Sequence, residues 1–107
     1  MATRKAVEIA VYAGTFESQP LVFAHLYDLA TALGIEMALD EIDVICKTDP
    51  TPRLAHYFDA ETVDVITANL GLFTTTILVF PEALAGDLEG STRITALGKY
   101  QGSRVRA

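Results

Sequence analysis

The run Ile77-Leu78-Val79-Phe80 limits the possible folds more than any other stretch of this sequence. Successive side chains of a strand point to opposite sides, so an unbroken apolar run is apolar on both faces. That is the signature of a strand in the interior of a sheet. Phe73 extends the run on its N-terminal side through Thr74, Thr75 and Thr76, whose β-branched side chains suit an extended backbone, and Pro81 ends it. The chain is 107 residues long, which is one domain. A chain of this size buries roughly 65% of its extended surface on folding, enough for one modest core.

The other elements follow from periodicity and punctuation. Ala6 to Gly14 alternates, with Val7, Ile9, Val11 and Ala13 on one side and Glu8 and Tyr12 on the other, which predicts a half-buried strand. Ser18 is placed to cap a helix with Pro20 in its first turn, and Gly34 to end it near Leu33. Val22, Leu26, Leu29 and Leu33, with Phe23 and Ala30 beside them, form its apolar stripe. Ile35 to Leu39 reads as a strand passing into a turn or short helix at Asp40 to Ile45. Lys47 to Arg53, with Pro50 and Pro52, reads as a loop.

A second helix is expected from Ala60 to Asn69, capped by Asp59, with Val63, Ile66 and Leu70 inward and Gly71 at its end. Glu82 to Ser91 is expected to be a surface connection, Thr92 to Tyr100 a last strand, and the residues from Gln101 a frayed tail. The order β-α-(β)-α-β-β predicts an α+β fold: a small, mostly antiparallel sheet with two helices on one face, its last two strands joined by a long hairpin.

Charge separates sharply along the chain. No Lys or Arg falls between Ala6 and Cys46 or between Leu54 and Thr92, and those blocks hold thirteen of the fourteen carboxylates. The net charge of -6 and the absence of a basic cluster argue against direct nucleic-acid binding. No apolar run approaches the ~18 residues of a membrane span. The lone Cys46 and the lack of an apolar segment after Met-Ala-Thr-Arg-Lys lead to the expectation of a cytoplasmic protein. The densest acidic stretch, Glu36, Asp40, Glu41 and Asp43, is interleaved with apolar residues that can hold it against a core. With Asp28 nearby it would make a negative surface suited to a cationic partner.

Residues able to carry chemistry are scattered. His25 and Asp28 sit three apart on one helix, and His56 and Asp59 have the same separation beside Tyr57 and Phe58. Neither pair has a nucleophile or further metal ligands at a telling spacing, and Asp59 is explained as a helix cap. Cys46 ends an apolar run, as a buried and inert thiol does. The sequence therefore predicts no catalytic residue, no cofactor and no metal. A pocket formed by His25, Tyr27, His56 and Tyr57 would instead indicate a small-molecule-binding or enzyme-like domain. An exposed apolar face would indicate a structural homo-oligomer subunit.

Three patches together resemble the immunity protein 22 family, small antitoxin proteins of bacterial polymorphic toxin systems. They are Tyr12-Ala13-Gly14-Thr15-Phe16-Glu17-Ser18; Leu33-Gly34-Ile35 with Asp40-Glu41-Ile42-Asp43; and Thr76-Ile77-Leu78-Val79-Phe80 with Gly90 and Leu97-Gly98-Lys99-Tyr100. The chain differs from the family at Ala38 and Leu39, where aromatic residues accompany the acidic run, and in the segment with Pro50 and Pro52. The resemblance implies a non-catalytic protein that binds and neutralises a cognate toxin domain in the cytoplasm, with a nuclease as one candidate toxin. Joined to the charge layout, it makes Asp40, Glu41 and Asp43 the expected centre of the partner-binding surface, with Glu36 and Asp28 flanking it. A homodimer stays open.

Overall fold

The computed structural model describes residues 3–83, 88 and 91–106. Four strands form one antiparallel sheet: β1 (Thr3–Gly14), β2 (Ile42–Cys46), β3 (Thr75–Val79) and β4 (Ile94–Arg106), in the spatial order β2-β3-β1-β4. Three helices complete the fold: α1 (Gln19–Leu33), the single turn α2 (Thr51–Leu54) and α3 (Ala60–Leu70). The α+β class and the antiparallel sheet agree with the sequence reading.

The position of the helices differs from that reading. They pack on opposite faces of the sheet, not on one. Val22 and Leu26 of α1 join Tyr12, Val44, Ile77 and Ile94, whereas Val63 and Ile66 of α3 join Ile9, Val11, Ile45 and Leu78. The cause lies in β1 and β3, which carry apolar residues of both parities and so need cover on both sides. β1 and β2 each run antiparallel to β3 and are therefore parallel to one another, with α1 as the crossover between them. The return from β2 to β3 goes through α2 and α3 over the other face.

Helix ends show how local chemistry fixes the elements. Gly34 closes α1 with φ 71°, a left-handed conformation that costs glycine little, and its N–H bonds the Thr31 carbonyl at 3.1 Å. Ser18 occupies the N-cap position of α1, but its side chain makes no capping bond. Asp59 does cap α3, accepting the Thr62 N–H at 2.8 Å. Val22, Leu26 and Ala30 form the buried stripe of α1, while Leu33 at its end is 40% exposed. Val63, Ile66 and Leu70 are buried as expected.

Four expectations need correction. The strand after α1 is Ile42–Cys46, preceded by a 3-10 turn at Leu39–Glu41, the reverse of a strand followed by a turn. Lys47 to Arg53 is not all loop, because Pro50 caps α2 and Pro52 sits in its first turn, where a missing N–H costs nothing. β3 and β4 are not a hairpin pair, since β1 lies between them. Gln101 to Arg106 are not a frayed tail, because β4 pairs with β1 along its length from Ile94 opposite Gly14 to Arg106 opposite Thr3. Most of the expected connection from Glu82 to Ser91, Gly90 included, lies outside the described residues.

Candidate functional site

The acidic stretch divides across the sheet. Strand alternation sends Ile42 and Val44 into the α1 core and leaves Asp43 and Ile45 on the α2/α3 side. There Asp43 Oδ1 accepts from Arg53 Nη1 at 2.6 Å, and its Oδ2 accepts the Tyr57 hydroxyl at 3.0 Å. Burial, reinforced by the Asp43 charge, pushes the Tyr57 phenol up from its ordinary value. Glu41 pairs with Arg104, whose guanidinium lies 4.2 Å from the centre of the Phe80 ring. The part-buried Glu41–Arg104 pair contributes about 1 kcal/mol and joins the start of β2 to a distant chain segment, while the more exposed Asp43–Arg53 pair contributes less.

Two of the three expected central carboxylates are thus engaged inside the chain. Asp40, Glu36 and Asp28 are exposed, and none forms an ion pair among the described residues. The expected surface is smaller than the sequence implied, because Arg53 and Arg104 come from outside the acidic block.

The expected pocket of His25, Tyr27, His56 and Tyr57 is not assembled. His25 and Tyr27 lie on α1, while His56 and Tyr57 follow α2 on the other side of the sheet. His25 instead meets Ser91, with Nε2 and Oγ 2.7 Å apart. Ser91 Oγ also accepts the Arg93 N–H at 3.1 Å, which leaves its own proton for a neutral imidazole. Phe16 flanks His25 with ring centres 5.7 Å apart, and Arg93 lies over the same Phe16 ring at 4.4 Å. Spacing gave no sign of Ser91, which lies 66 residues from its partner.

Burial is the main cause that lowers the His25 pKa from its ordinary 6.5, the Arg93 charge adds to it, and Asp28 opposes. Since the folded value lies below the unfolded one, the stability from neutral His25 is complete above about 6.5 and is lost as pH falls from there through the lower folded value. Urea unfolding at a series of pH values should show this loss. His25→Gln should flatten the profile there, and an equally steep profile in the variant would assign the loss to another group.

Two clefts meet at the C-terminal end of β2. The larger, about 540 Å³, runs from Lys47 and Asp49 to Thr67, Phe73 and Thr76. The smaller, about 270 Å³, lies along β2 between Gln19 and Arg53. Lys47, at the junction, holds φ 60°, which is unusual for a residue with a side chain, and pairs with Glu17 at 2.9 Å. Cys46 is half-buried there, its Sγ 3.5 Å from both the Phe16 carbonyl and Thr75 Oγ1.

Among the described residues, no three His, Cys, Asp or Glu form a group able to hold a metal, and no helix is long and apolar enough to cross a membrane. Comparison with protein-family models, with curated proteins and with solved structures finds no match.

Proposed function

We propose that this chain is a non-catalytic immunity protein, which binds a cationic toxin domain in the cytoplasm and holds it inactive. The observation that carries this reading is the exposed, cation-free set Asp28, Glu36 and Asp40 on α1 and the segment after it, on a chain of net charge -6. A toxin that acts on nucleic acid must present a basic surface, and fixed carboxylates can occupy it in place of phosphate. Glu41 and Asp43 support the surface from within by fixing the backbone around Asp40.

The test is co-expression with a candidate toxin domain, sought among the products encoded beside this chain. Host survival together with a co-purifying complex is the expected outcome. Replacing Asp28, Glu36 and Asp40 by Asn, Gln and Asn should weaken the complex about tenfold at low salt and flatten its salt dependence. Unchanged affinity would overturn the charge mechanism, and failure of the intact chain to protect the host would overturn the immunity reading.

A further inference from the structure

The sheet has two open edges, and they are treated differently. β4 is blunted: its pairing with β1 slips between Val11 and Tyr12, opposite Gly98 at φ 121°, Lys99 follows the slip, and the Ser103 N–H is covered by the Tyr57 carbonyl at 2.7 Å. Bulges, lysines and covering segments are how proteins keep an edge from pairing with another chain. β2 pairs with β3 without a slip, its only lysine neighbour, Lys47, stands past its end, and among the described residues the one side chain that reaches its outer edge is Gln19.

The register of β2 shows which of its groups are open. The Lys47 N–H bonds the Thr74 carbonyl at 2.9 Å, and the Phe80 N–H bonds the Glu41 carbonyl at 3.2 Å. Alternation in an antiparallel ladder then turns the backbone groups of Ile42, Val44 and Cys46 away from β3. The Ile42 N–H returns to Leu39, and the Val44 carbonyl accepts the Gln19 side chain at 3.5 Å, a long bond. The Ile42 carbonyl, the Val44 N–H and both groups of Cys46 have no protein partner among the described residues. From Val44 to Cys46 this strand lines the 270 Å³ groove, together with Ser18, Gln19, Thr48 and Arg53.

Charge along β2 and just beyond its two ends is unequal. The groove's two cations are already matched, Lys47 by Glu17 and Arg53 by Asp43. Asp40 before β2 and Asp49 after it are exposed and have no cation among the described residues. An occupant must therefore offer main-chain groups at strand spacing, with basic side chains towards its ends.

We propose that the outer edge of β2 is a strand-addition site that takes an extended, basic segment of a partner protein as a fifth strand of the sheet. Main-chain hydrogen bonds at Val44 and Cys46 supply affinity, and Asp40 and Asp49 select for lysine or arginine. The Gln19 side chain holds the Val44 carbonyl until the segment displaces it. This goes beyond the immunity reading, since the partner need not be a toxin.

The test titrates an acetylated, amidated octapeptide of alternating lysine and valine into the isotope-labelled full chain. Expected are saturable amide shifts centred on Val44 and Cys46 and slowed hydrogen exchange at both. Methylating the peptide nitrogens on alternate residues, in the register that faces β2, should weaken binding about tenfold, as should glutamate in place of lysine. Gln19→Ala should tighten binding about threefold, because the Val44 carbonyl is then free. Shifts centred on Lys99 and Gln101, indifference to methylation, or no saturable shift at millimolar peptide would each overturn the proposal.

Discussion

A chain shortened to end at Tyr100 should lose its cooperative unfolding transition. Removing the residues after Tyr100 deletes the β1 partners of Thr3 to Glu8 and with them half of the longest ladder in the sheet. It also removes Arg104 from Glu41 and Phe80, and Ser103 from the Tyr57 carbonyl. Gly102→Ala is a milder form of the same test. A Cβ on Gly102 would stand 2.7 Å from the Tyr57 carbonyl oxygen and 3.0 Å from the Phe58 ring, and the oxygen belongs to backbone that cannot rotate away. The expected cost is about 2–3 kcal/mol. Urea unfolding followed by circular dichroism measures both. A shortened chain with the parent's midpoint would show that these residues contribute nothing to the fold.

Leu26→Ala and Ile66→Val should cost about 3 and about 1 kcal/mol, and their effects should add to within ~0.5 kcal/mol in the double variant. Both side chains are fully buried, but Leu26 belongs to the apolar cluster under α1 and Ile66 to the one under α3. The sheet lies between them, so a cavity on one side leaves the packing on the other unchanged. A coupling energy well above that limit would mean that the two helices share one core layer.

The candidate surface was partly legible in the sequence. Asp28, Glu36 and Asp40 stand exposed as expected. Glu41 and Asp43 could not be read correctly from their own segment. Their partners Arg104 and Arg53 lie 63 and 10 residues away, and only the pairing of β4 with β1 and the turn at α2 bring them close. Ser91 was hidden for the same reason, since nothing near His25 in sequence indicates a hydroxyl 66 residues on. The β2 edge was invisible too, because an open edge is a property of strand order and not of any one strand.

The sequence alone determined what depends on neighbours along the chain. Periodicity and apolar content placed β1, α1, α3 and β3, Asp59 and Gly34 set helix ends through bonds to adjacent backbone, and Pro81 closed β3. Tertiary structure decided what depends on distant surfaces. Each helix went to the face left uncovered by the other, because β1 and β3 are apolar on both sides. β4 went to β1 because β2 had taken the other side of β3, and β1 was long enough to pair with all of it. The loss of chain freedom is offset only when every apolar face and backbone group finds a partner, and that condition belongs to the whole molecule.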